Sequence, residues 1–331
     1  MKNSYISNFK PAQKYRVKKR HIYIFFALII LSLACLELLN RYFIVHKSKH
    51  YLTLCDFETV KDKIEILFLG DSHFKLGIDS AKFRKPVYNL SFSNASYISS
   101  YYILKRFIDE MPKLKVVILP LDLHNFSSFR NTDILEAIFW NQFVDHSELA
   151  RISHEKLRRK ILNLTLLSPE FGRVNFWINL KEFIKEKMRM KLSDPAETEN
   201  EPPSGDLNQK AFEKIKQHFV GSTPFDETQT VYFQKILNLS KEHHFKVITL
   251  QMPVSQFYLD NAEKYITRQE IQSKILEKEP FKTLIDKNFD FTGLYGDRIE
   301  YFSWGRRDGD HLNQKGKDEF SILIASKIEE L

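Results

Sequence analysis

Between Ile22 and Leu39 the sequence reads IYIFFALIILSLACLELL, eighteen residues whose only charge is Glu37. In lipid such a run must satisfy its own backbone polar groups, which restricts it to a helix, and about 20 residues cross a hydrocarbon core of about 30 Å. One transmembrane helix is expected, a membrane anchor over residues 21–44 with its flanks. Lys2, Lys10, Lys14, Arg16, Lys18, Lys19 and Arg20 precede it, whereas only Arg41, Lys47 and Lys49 follow closely. The positive-inside rule then makes residues 1–20 a cytoplasmic basic tail and places the rest outside, in a periplasm or at a cell surface. A cleaved signal peptide would end at small residues, but here the apolar run continues. Ser32 is likewise a poor start for a lipoprotein site at Cys35, and apolar residues continue beyond that cysteine.

The net charge of +8 is concentrated in that tail, so the remainder of the 331 residues is only mildly basic. Because the basic cluster adjoins the apolar run, its partner is a membrane surface and no nucleic acid is expected. Two cysteines, Cys35 and Cys55, leave the outer body without a disulfide framework, and there is no CxxC pair. A hydrophobic core must hold the fold, and neither a metal nor another cofactor is expected.

Residues 45–63 read as a polar tether, and residues 64–331 as one domain. Four short apolar runs end in turns: residues 64–69, 87–90, 115–121 and 246–252. Helical patterns lie between them, through about Met111 and from about Gln229 to His244. A last amphipathic helix places Phe320, Leu323, Ile324, Ile328 and Leu331 on one face. Strands alternating with helices imply an α/β fold with a mostly parallel sheet covered on both sides. Residues 125–228, about, interrupt the alternation as a helical insertion. Its segment 193–208, with five acidic residues and three prolines, has too little apolar surface to fold and reads as a disordered linker. Within the insertion, Phe176, Trp177, Leu180, Phe183, Ile184 and Met188 recur at helical spacing opposite lysines and arginines. That pattern fits a helix packed on the core with a solvated basic face, or one lying on anionic lipid.

Chemistry concentrates where the first strand ends, at Gly70-Asp71-Ser72-His73. Active sites of open α/β sheets gather at the carboxyl ends of strands. A tight turn at Gly70 can lift the Ser72 hydroxyl above the sheet with its own N–H facing an oxyanion. A serine needs a base, and Asp308 and His311 stand three apart on a loop before the last helix. One turn can aim both at Ser72, the carboxylate fixing the imidazole tautomer while the other nitrogen takes the proton.

These residues resemble the SGNH or GDSL-type hydrolase superfamily, with Gly70-Asp71-Ser72 as its first block and Asp308 to His311 as its last. The resemblance covers about residues 64–124 and 245–331. It implies a flavodoxin-like three-layer α/β/α fold, with Ser72 as nucleophile, His311 as base and Asp308 as its orienter. With a single anchor, the chain is similar to the envelope branch, the alginate O-acetylation proteins and the teichoic acid D-alanyl transfer protein. The resemblance implies an esterase or O-acyltransferase acting on an acylated carbohydrate or envelope polymer, with a membrane-bound acyltransferase as a partner. Where that family carries an oxyanion glycine after the second strand, this chain has Ser91-Phe92-Ser93-Asn94, so Ser93 or Asn94 would donate instead. Asp122, His124 and Asn125 follow the third strand and would line the pocket, Asn125 as a further donor.

Two other readings use the same residues. Asp71-Ser72-His73 fits the DxH that opens a two-metal phosphoesterase site, but the later GNH and GHxH strings do not occur. The missing glycine also fits a catalytically weak scaffold in envelope polysaccharide modification.

Overall fold

A computed structural model describes residues 19–39, 49–93, 95–132, 184, 205–304 and 309–330. Asn94, Asp308 and most of the expected basic tail and insertion, including the pattern at 176–188 apart from Ile184, lie outside the described residues.

Helix α1, Lys19–Leu39, has 21 residues, about 31 Å at 1.5 Å per residue. Its Lys19–Leu36 stretch has a mean hydropathy of 1.7 and buries none of its length against the domain. It has the length and composition to cross a membrane. Helix α2, Lys49–Glu58, follows within the expected tether. Leu54 and Phe57 of α2 are buried, and the Phe57 ring meets Tyr88 and Phe107 edge-on. This part of the tether packs as part of the domain.

The domain is a mixed α/β structure with five parallel strands in the order β2-β1-β3-β4-β5. The strands are β1 Ile66–Phe68, β2 Val87–Asn89, β3 Val116–Pro120, β4 Lys246–Gln251 and β5 Lys287–Asp290. Ile66 aligns with Val87 on one side and with Val116 on the other, and Val116 aligns with Lys246. Side chains alternate across the pleat, and both faces of β1 and β3 are buried, as a parallel sheet between helices requires. Leu67, Val117, Leu119 and Val247 join the core under helices α4, Tyr97–Phe107, and α6, Glu227–His243. Ile66, Phe68, Ile118, Ile248 and Leu250 face the opposite core with Phe74 of α3, Ser72–Gly77, and Phe320, Ile324 and Ile328 of α8, Gln314–Glu329. The result is the flavodoxin-like α/β/α sandwich expected from the sequence.

Two further helices complete the wall near the carboxyl edge: α5, Leu207–Phe219, and α7, Gln256–Ala262. The Asp206 side chain accepts from Gln209 N–H at the start of α5, so the last residues of the expected linker are an ordered helix cap. Strand β5 is an addition to the four expected strands. In this order the direction of strand succession reverses between β1 and β3, which opens a crevice at their carboxyl ends.

Candidate active site

Both sides of that crevice carry polar residues. After β1, Gly70 makes the turn. A Cβ there would come within 2.8 Å of the Phe74 ring and 3.2 Å of Pro120, so only glycine lets the turn pack against β3. Asp71 then caps α3, its Oδ1 accepting from His73 N–H at 2.9 Å. This fixes the first turn of α3 and leaves Ser72 half-buried, while His73 turns into the interior at 3% exposure.

The opposing loop is equally constrained. Phe302 and Leu312 form an antiparallel bridge, Ser303 N–H donates to His311 O at 2.9 Å, and Ser255 N–H donates to Gly309 O at 3.0 Å. Gly309 has φ +77°, and a Cβ would sit 2.6 Å from both Ser255 Oγ and the Trp304 ring. Asn313 caps α8 by accepting from Gly316 N–H. Residues 309–313 are thereby held from both ends, with the His311 side chain directed at α3.

There Ser72 Oγ lies 2.8 Å from His311 Nε2, and His311 Nδ1 lies 2.5 Å from Asp310 Oδ1. This fixes the tautomer: Nδ1–H donates to the carboxylate, and Nε2 accepts from the serine hydroxyl. Burial is the main influence lowering the His311 pKa, to about 4 despite the adjacent Asp310. The imidazole is therefore neutral and able to accept a proton at pH 7. Burial opposes the Asp310 charge, but His311, Lys214 and His73 outweigh it and hold its carboxyl well below the usual range. Asp308 lies outside the described residues, and the carboxylate on His311 belongs to Asp310.

Behind the serine is a buried ionic cluster. Asp71 Oδ2 receives the Arg130 guanidinium, His124 Nε2 at 3.0 Å and Asn125 Nδ2 at 3.3 Å. Against its burial, Arg130 and His124 keep Asp71 well below the ordinary carboxylate range. Burial lowers His124 to about 3, so it is a neutral donor. Asp122 Oδ1 accepts from Met252 N–H at 2.7 Å, and its Oδ2 lies 3.0 Å from His73 Nδ1. Burial raises the Asp122 pKa, with His73 acting against it. Burial also disfavours a charged His73, but Asp122 and Asp310 reverse that and raise it to about 10. The His124 ring lies between those of His73 and His218, with centroids 4.7 Å from each, and His218 Nδ1 is 2.8 Å from Tyr258 Oη.

Three carboxylates, Asp71, Asp122 and Asp310, thus face three cations, Arg130, His73 and Lys214. Two triplets, His73 with Asp122 and His124, and His73 with Asp310 and His311, bring one ligand-type atom from each residue within 4.8 Å. Both depend on His73, and a divalent ion would have to displace its proton from a cluster whose charges already balance.

The expected oxyanion residues are distributed differently. Phe92 N–H donates to Gly70 O at 3.0 Å, so the segment after β2 lies against the serine turn. Ser93 in that segment is exposed, and Asn94 lies outside the described residues. The Asn125 side chain is engaged at both ends, donating to Asp71 and accepting from Asp122 N–H at 2.6 Å. The sequence offers His73 only as the histidine of the DxH reading, and it does not point to Arg130, Lys214, His218 or Asp310 as site residues. Asp310 had a signal, its position beside His311, but the DxxH spacing directs attention to Asp308.

No family model and no curated protein matches the chain. Among solved structures, a candidate acylhydrolase from Bacteroides fragilis NCTC 9343 is 11% identical over 86% of this chain and 98% of its own, with a TM-score of 0.39. A protein from Streptococcus pneumonia, described as a candidate platelet activating factor, is 9% identical over 95% of this chain and 99% of its own, with a TM-score of 0.34. At such low identities and scores, the chemistry of the site must be read from its own side chains.

Proposed function

We propose that the chain is a membrane-anchored serine esterase or O-acyltransferase of the SGNH kind, acting on a cell-envelope carbohydrate. The observation that carries this reading is the line Ser72 Oγ, His311 Nε2, His311 Nδ1, Asp310 Oδ1, with separations of 2.8 and 2.5 Å across its two hydrogen bonds. Ser72 Oγ attacks the ester carbonyl as its proton passes to His311 Nε2, and Asp310 stabilises the imidazolium. The Ser72 N–H, in the first turn of α3 with no helical carbonyl behind it, faces the developing oxyanion. His311 then protonates the leaving alcohol. Water resolves the acyl-serine in hydrolysis, and a sugar hydroxyl does so in transfer.

The membrane assignment draws on α1 and its basic flank, which favour a cytoplasmic N-terminus and an extracytoplasmic domain. The carbohydrate acceptor and a membrane-bound acyltransferase as acyl donor extend the resemblance at Gly70-Asp71-Ser72 and around His311. Full-length protein in detergent, given p-nitrophenyl acetate with and without glycan acceptors, should release nitrophenol and label with a fluorophosphonate. Ser72→Ala should do neither. Equal turnover by Ser72→Ala, His311→Ala and the parent would overturn the triad.

The engagement of Asn125 with Asp71 favours a second reading, a catalytically weak member that binds glycan. It predicts undiminished cellular function in the Ser72→Ala strain.

A further inference from the structure

His73 follows the proposed nucleophile directly, yet its ring points into the core and takes no part in the acyl chemistry. Its Nδ1 lies 3.0 Å from Asp122 Oδ2, and its Nε2 lies 3.7 Å from Asp310 Oδ2. Asp122 is itself fixed by Met252 N–H at the end of β4. Asp310 uses Oδ1 for His311, while among the described residues its Oδ2 faces His73 and, at 3.6 Å, Lys214 of α5. The ring of His73 also stands edge-on to that of His311, with centroids 4.6 Å apart.

We infer that His73 is a positioning residue, an imidazolium that ties Asp310 to the β4-anchored Asp122 and so sets both the aim and the basicity of His311. This rests on the triad reading above. A neutral ring carries a single N–H and no charge, so it would leave one of the two buried carboxylates facing a ring lone pair. With both nitrogens protonated, each faces an anion. The imidazolium also offsets part of the Asp310 charge felt by His311, making His311 a weaker base than a triad histidine beside an unshared carboxylate. Around His73 the titratable groups are Asp122 and His124 after β3, Asp71 beside it, and Asp310 and His311 before α8. Lys214 from α5 and Arg130 reach the same carboxylates. Among these, His73 is the group that contacts both Asp122 and Asp310.

Two measurements on the full chain in detergent test this. The first is nitrogen NMR of histidine-labelled parent protein, with the His73 signals assigned by their loss in His73→Gln. Both ring nitrogens should carry protons at pH 7 and 8. A neutral His73 at pH 7 would overturn the inference whether or not the protein turns over esters.

The second is the pH profile of p-nitrophenyl acetate hydrolysis. His73→Gln should lower kcat about hundredfold, the scale of a displacement of about 1 Å at a reacting group, with KM changed less than about twofold. Its acid limb should move to higher pH, because Asp310 now acts on His311 unshared. His73→Arg, which keeps a cation there, should return the limb toward the parent position. An unmoved limb in His73→Gln, with parent kcat, would overturn the positioning role. Failure of Ser72 to label with fluorophosphonate would instead count against the triad, leaving the NMR result to decide the state of His73.

Discussion

The two ends of the same parallel strands treat charge in opposite ways. At the amino edge, Glu65, Lys85, Lys115, His244 and Lys246 border an open cleft of about 350 Å³. Glu65 and Lys115 pair there at 2.8 Å, in water, where such pairs contribute little. At the carboxyl edge, Asp71 and Arg130 form the same kind of pair with 0% and 3% of their side chains exposed. Burial makes those charges interdependent: each pair holds only while its neighbours do. Residue type alone therefore does not distinguish a functional edge from a solvated one; depth does.

The largest effects should come from breaking the proposed triad. Ser72→Ala and His311→Ala should each reduce kcat for ester turnover by about 10⁴-fold or more. Asp310→Asn should approach the same loss, about 10⁴-fold, by favouring the wrong imidazole tautomer. Turnover within tenfold of the parent in Asp310→Asn would assign the orienting role elsewhere, with Asp308 the first alternative.

Next comes the buried pair. Arg130→Met leaves Asp71 charged and unpaired, at a cost of about 3–5 kcal/mol, read as a lower urea midpoint. Adding Asp71→Asn should recover part of it. A third test uses pH. The His73 pKa is raised from 6.5 to about 10, so its contribution to stability is complete below about 6.5 and is lost as pH rises to about 10. Asp71 and Asp310 are shifted the other way, and their contribution disappears as pH falls below the ordinary carboxylate range. Melting temperature should decline on both sides of neutrality, and His73→Gln should flatten the alkaline side. The smallest effect completes the comparison: Lys115→Ala at the amino edge should leave both melting and turnover unchanged. A clear loss there would mean that the open cleft is not merely solvated.

The fold was legible where burial is continuous. Strands β1, β3 and β4 lie in short, mostly apolar, β-branched-rich runs, IEILFL, KVVILPL and KVITLQM, that end in turn residues, and their length favours a strand over a helix. Strand β5 is an edge strand, KNFD, with Lys287 and Asp290 exposed, so it lacks the apolar signature. Leu54 and Phe57 of α2 were hidden for the converse reason, two anchors in an otherwise polar stretch. Ser72 is legible because it stands where the apolar run of β1 meets a turn, and His311 because it follows Asp308 by three positions on the loop before the last helix. Of the cluster behind them, Asp122, His124 and Asn125 are legible from their place after β3 and His73 from its place beside Ser72, whereas Arg130 and Lys214 come from a short 3₁₀ turn and α5 and carry no local signal. Only tertiary structure turns such charged residues inward.

Ser72 and His311 are separated by 239 positions in the chain. During synthesis, a polypeptide interrupted anywhere before residue 311 carries Ser72 without its hydrogen-bond partner His311. Connectivity thus acts as an interlock: on the proposed mechanism no fragment ending earlier holds both nucleophile and base, and competence begins only when the two distant segments have closed over the sheet.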